Sequence, residues 1–112
     1  MAPEILDFSC NGGAHCVVTF GEDFAMQFTF ADDNGDASSW RITAVREDGR
    51  TFLVDERPIT PPSGGGTITR YSTGFTCVNP PCRQVTFELR LVISDTTGRS
   101  SRTAVVGVVV TP

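Results

Sequence analysis

Two groups of residues in this sequence have types and spacings that could do chemistry: the run Asp32-Asp33-Asn34-Gly35-Asp36, and four cysteines in two close pairs. In the run, Asp32, Asn34 and Asp36 offer carboxylates and an amide at alternate positions, the hard oxygen ligands that Ca²⁺ takes. The spacing departs from an EF-hand loop. Gly35 falls at the fourth place, and Thr43 stands where that loop carries a bidentate Glu. The same residue types also build a solvated β-turn, so a calcium loop and a plain turn are both open readings. Glu22 and Asp23 are further acids that could add ligands.

Cys10 and Cys16 flank Asn11-Gly12-Gly13-Ala14-His15, and Cys77 and Cys82 flank Val78-Asn79-Pro80-Pro81. Both intervening stretches are turn-forming and bring their ends together at low entropic cost. Of the pairings that four cysteines allow, this favours the local one, 10–16 with 77–82. Each such loop contributes about 2 kcal/mol on a chain-entropy estimate, against roughly 4 kcal/mol for a 10–77 type of crosslink. Staples of this kind are expected to pin loops more than to join layers. The alternative is a zinc site with His15 as an extra donor. Structural zinc prefers two to four residues between paired cysteines, a limit the 77–82 pair just meets and the 10–16 pair exceeds.

Disulfides imply an oxidising compartment: periplasm, cell surface or outside the cell. Met1-Ala2-Pro3-Glu4 has neither the basic start nor the apolar stretch of a signal peptide. The expectation is one domain, residues 1–112, excised from a longer exported protein. No apolar run reaches the 18 or so residues of a membrane helix. The net charge of −4 argues against a nucleic-acid partner, because phosphate binding needs a basic field. All nine basic residues are Arg, and the seven acids before Trp40 face no base in that stretch.

Trp40 could stack on a sugar ring, with Tyr71 as a second aromatic. Its phase with Ile42 and Ala44 instead points to a core tryptophan, while the strand of Tyr71 does not declare its buried face. His15 is the single histidine. Catalysis would need a partnered nucleophile, and no nucleophile motif frames the nearby Ser9 and Asp7. Phosphate-binding loops, dinucleotide fingerprints, nucleophile elbows and metalloprotease motifs are all missing from the sequence, so an enzyme is not expected.

The elements that would position these residues read as strands. Phe24, Met26, Phe28 and Phe30 alternate with Ala25, Gln27 and Thr29; Val85, Phe87, Leu89, Leu91 and Ile93 alternate with Thr86, Glu88 and Arg90. These two segments are expected to be central, one in each of two facing sheets. Further strands are expected at 3–8, 39–46, 51–55, 67–77 and 101–111, with 16–20 continuing the first edge beyond its disulfide loop. Residues 57–66, with three prolines and three consecutive glycines, read as a long loop. About seven antiparallel strands without a helix make an all-β chain, an immunoglobulin-like β-sandwich. Valines on both faces of the last strand suggest that a neighbouring domain or a partner subunit covers its outer side.

Pro3-Glu4-Ile5-Leu6, Phe28-Thr29-Phe30-Ala31-Asp32, Gly35-Asp36, Trp40-Arg41-Ile42 and the run Leu89 to Ser100 together resemble an immunoglobulin-like module of a bacterial surface protein, of the polycystic-kidney-disease type. That type places its Trp before the Gly-Asp turn, whereas Trp40 follows it. Antibody-type domains join their central strands by a disulfide, whereas this chain has Phe28 and Leu89 there. The resemblance implies a structural, spacer or adhesion module of a secreted or surface protein, its partners being neighbouring domains or a surface protein. A carbohydrate-binding accessory module, calcium-assisted or not, is the alternative, and an edge-mediated weak homodimer a further one.

Overall fold

Among the described residues of the computed structural model there are eight strands: β1 (Glu4–Cys10), β2 (His15–Thr19), β3 (Phe24–Ala31), β4 (Ala37–Arg46), β5 (Thr51–Ser63), β6 (Gly65–Ser72), β7 (Val85–Asp95) and β8 (Ala104–Thr111). The structure describes residues 2–72 and 74–112, and no helix occurs among them. Three strands form one sheet in the order β1-β3-β6, and five form the other in the order β2-β8-β7-β4-β5. As expected, β3 is the middle strand of the first sheet and β7 of the second.

The alternations in β3 and β7 turn their apolar sides toward each other. Phe28, Met26, Ile42, Leu89, Leu91 and Ile93 are all fully buried in one core cluster fed by both sheets. Trp40 sits in that core at 3 % exposure, its ring edge-on to Phe28 at 5.3 Å between centroids. Burying an aromatic of this size contributes about 2–3 kcal/mol by area alone, and the edge-to-face contact adds about 1 kcal/mol. The core reading of Trp40 holds. A sugar cannot stack on this ring without opening the core.

Two expectations are corrected. The strands are not all antiparallel: β2 pairs parallel to β8, from His15 opposite Gly107 to Thr19 opposite Thr111. Nor does β2 continue the edge of β1. Asn11 and Gly12 take positive φ angles of 49° and 85°, and Cys10 and Gly13 exchange backbone hydrogen bonds around them. This is the two-residue turn that an Asn-Gly pair forms most readily. It releases the chain from the three-stranded sheet, and β2 joins the five-stranded one.

A third correction concerns 57–66. Instead of a loop, β5 runs on to Ser63. It lies at the edge of its sheet beside β4, and an edge strand is where a sheet tolerates proline. Register shifts between Ala37 and Ser39 absorb the extra residues of β5. Conversely β6 stops at Ser72, so Cys77 lies outside any strand.

The molecule measures 49 × 24 × 20 Å. Glu4 pairs with Ala31 at one pole, which also holds the β3–β4 turn and the end of β7. Thr111 pairs with Thr19 at the other pole, beside the start of β7. The outer face of β8 is open within the chain: Val105 is 50 % exposed and Val17, on β2, 68 %.

Candidate functional site

At the pole where β1 begins, three carboxylates converge. One oxygen each from Asp32, Asp36 and Asp95 lies within 4.8 Å of the other two. Asp32 and Asp36 flank the β3–β4 turn, in which the Asp32 carbonyl accepts a bond from Gly35 N at 2.9 Å. Gly35 has a φ of 70°, a conformation that favours glycine. Asp95 ends β7 and arrives from the facing sheet.

Each carboxylate uses one oxygen in a hydrogen bond, Asp32 and Asp95 within their own turns and Asp36 across to the turn after β7. Asp32 Oδ1 accepts from Asn34 N at 3.1 Å, and Asp36 Oδ2 from Thr96 Oγ1 at 3.0 Å. Asp95 Oδ1 accepts from Thr97 Oγ1 at 2.7 Å and from the backbone N–H groups of Thr97 and Arg99, both at 2.9 Å. The other three oxygens, Asp32 Oδ2, Asp36 Oδ1 and Asp95 Oδ2, are buried and have no hydrogen-bond partner among the described residues. Buried polar atoms are normally partnered, so an orphan oxygen on each of three clustered carboxylates requires an explanation.

Electrostatics make the arrangement more demanding. None of the ion pairs among the described residues includes Asp32, Asp36 or Asp95. Burial pushes the Asp95 carboxyl up, but the hydrogen bonds from Thr97 and Arg99 and the charge of Arg99 prevail and hold it below its ordinary value of 3.8. Its ionised form is the favoured one.

Of the residues expected in a calcium loop, Asp32 and Asp36 come together. Asn34 is exposed on the turn, and its backbone N–H serves Asp32. Asp95 escaped the sequence reading, which placed it in a hairpin turn. A signal was present: Phe24, Met26, Phe28, Phe30 and Asp32 share one phase of β3, and Val85 to Ile93 share theirs with Asp95. A carboxylate on the core phase at the end of each central strand marks the pair.

The opposite pole carries a cleft of about 840 Å³. Here residues 74–84 cross from the end of β6 to the start of β7. Phe75 stacks on Phe87 at 4.4 Å and on Phe24 at 5.7 Å, and Phe52 meets Phe87 at 6.3 Å, so four rings span both sheets. Arg46, Glu47, Asn79 and Arg83 add polar groups to the wall. Both local disulfides are formed, Cys10–Cys16 and Cys77–Cys82, and no cysteine is free for zinc. The second of them borders the cleft through Cys82.

His15 is exposed at the start of β2, its ring lying over Gly107, where an added Cβ would come within 2.5 Å of Nδ1. No hydrogen bond joins it to Ser9 or Asp7. Tyr71 is 75 % exposed on β6. No protein-family profile matches the chain, and no curated protein matches it in sequence.

Proposed function

We propose that this chain is a non-catalytic, immunoglobulin-like module, a spacer or adhesion unit of a larger exported protein. The observation that carries the reading is the path of the chain. Glu4 and Thr111 lie at opposite poles of a body 49 Å long, so polypeptide passing through the domain is held extended. The strand order supports the immunoglobulin-like class: β1-β3-β6 against β2-β8-β7-β4-β5 corresponds to the first, second and fifth strands facing the seventh, sixth and third, with β2 and β5 as added edges. Two disulfides fit an oxidising compartment. The neighbours it contacts are adjacent domains or a surface protein.

Small-angle scattering of two copies joined end to end tests the reading. The expected maximum dimension is roughly double the 49 Å axis. A dimension close to that of one copy overturns the spacer role.

One observation favours a second reading, ligand binding: the cleft, whose aromatic walls and few polar groups suit a small ligand such as a glycan. On a glycan array this reading expects reproducible binding that Phe52→Ala abolishes while the fold persists. Binding that survives Phe52→Ala removes the cleft from consideration.

A further inference from the structure

We propose that Asp32, Asp36 and Asp95 form a Ca²⁺ site that clamps the β3–β4 turn to the end of β7. The donor set is all carboxylate oxygen, which suits a hard cation and not zinc or copper. Oxygens bound to one Ca²⁺ at about 2.3–2.6 Å lie at most roughly 5 Å apart, and these three lie within 4.8 Å of one another.

Proximity of acids alone would not suffice, since acidic clusters are common on surfaces. The independent observation is the pair of orphan oxygens. Asp32 and Asp95 are 4 % and 5 % exposed, and the Oδ2 of each is buried without a partner among the described residues. Burying an anionic oxygen without a donor or cation is costly. The partnered oxygens matter equally. Asn34 N, Thr96 Oγ1, Thr97 and Arg99 N hold each carboxylate in place by its other oxygen, so the free oxygens are pre-oriented and binding orders little.

The site joins both sheets. Asp32 extends the buried phase of β3 in one sheet and Asp95 that of β7 in the other, while Asp36 stands at the start of β4. Three carboxylates repel one another without an ion, and with one they become a bridge across the end of the core. Backbone and water oxygens would complete a shell of the usual six to eight.

The test uses the whole chain, freed of metal with a chelator and titrated with CaCl₂ or MgCl₂ at constant ionic strength. Extracellular modules bind Ca²⁺ with Kd values of about 10⁻⁴–10⁻³ M, so the titration runs to about 10 mM. Calorimetry is expected to show one saturable site. At roughly a hundred-fold excess over Kd, Tm should rise by on the order of 10 °C. Mg²⁺, which demands a tighter octahedron, should give a much smaller rise.

Asp36→Asn and Asp95→Asn keep an acceptor for the loop hydrogen bonds but remove a charge. Each is expected to weaken Ca²⁺ binding at least about ten-fold. Asp36→Asn should leave the metal-free Tm unchanged or raise it because repulsion is relieved, whereas Asp95→Asn also weakens the charge-assisted bonds from Thr97 and Arg99 and should lower it. Should Asp95→Asn fail to fold, Asp36→Asn decides, since Asp36 is only partly buried. The proposal is overturned by an absence of Ca²⁺-dependent heat and Tm shift, by an equal response to Mg²⁺, or by Asn variants that retain the wild-type affinity. A lowered metal-free Tm with an unchanged Ca²⁺ increment would also overturn it, leaving the carboxylates a purely structural role.

Discussion

The two disulfide loops look alike in sequence and differ in what they join. Cys10 is on β1 in the three-stranded sheet and Cys16 on β2 in the five-stranded one, with Cα atoms 5.7 Å apart. Both are buried in the core. A staple that is local along the chain is therefore a bond between layers, contrary to the expectation from its short loop. Cys77–Cys82, with Cα atoms 5.9 Å apart, is half-exposed and closes only the segment beside the cleft. Loop entropy treats the two alike at about 2 kcal/mol each. The difference lies in burial and in which elements the bond connects, and loop length does not report either.

This contrast can be broken experimentally. The Cys10→Ala/Cys16→Ala double variant should lose about 3–5 kcal/mol, because a buried link between sheets and its packing volume vanish together. Chemical denaturation would measure it. Phe75→Ala should cost about 2–3 kcal/mol, since this ring, stacked on Phe24 and Phe87, is what seats the second loop. Cys77→Ala/Cys82→Ala should cost about 2 kcal/mol or less. Hydrogen exchange should quicken at 74–84 while β3 and β7 stay protected. A loss equal to that of the first pair would erase the distinction.

The smallest effect is expected at Asp55, on the edge strand that neither staple touches. Burial raises its carboxyl, but hydrogen bonds and charge from Arg70 and Arg57 prevail and leave it below 3.8. A carboxylate depressed in the folded state stabilises above its unfolded pKa and stops doing so as pH falls through the folded one. Asp55→Asn should thus unfold slightly earlier than the parent at neutral pH, with the gap closing below pH 3.8. A gap that persists in acid would show that Asp55 acts by packing.

Much of the architecture was legible because alternation reports directly on which side of a strand is buried. β3, β4 and β7 carry that pattern throughout, and their central positions and the burial of Trp40 follow from it. The route between sheets was not legible. Asn11-Gly12 announces a tight turn, yet nothing local says that the strand after it changes layers and runs parallel to β8. Prolines in β5 were misleading for a related reason: a proline is tolerated where its neighbour is solvent, and edge status is a property of the whole sheet. At the carboxylate pole, Asp32 and Asp36 were readable as oxygen donors from their spacing. Asp95 was not, because its partners lie some sixty residues away and meet it only through the pairing of β4 with β7.

The parallel pairing of β2 with β8 has a mechanical consequence. Glu4 and Thr111 lie at opposite poles, so tension along the long axis drags β2 toward one pole and β8 toward the other. Hydrogen bonds in that ladder run across the direction of pull and are loaded together in shear, instead of parting one at a time as in an unzipped hairpin. The Cys10–Cys16 link passes part of the same load into the second sheet. Stretching along that axis must then slide whole strands before the core opens.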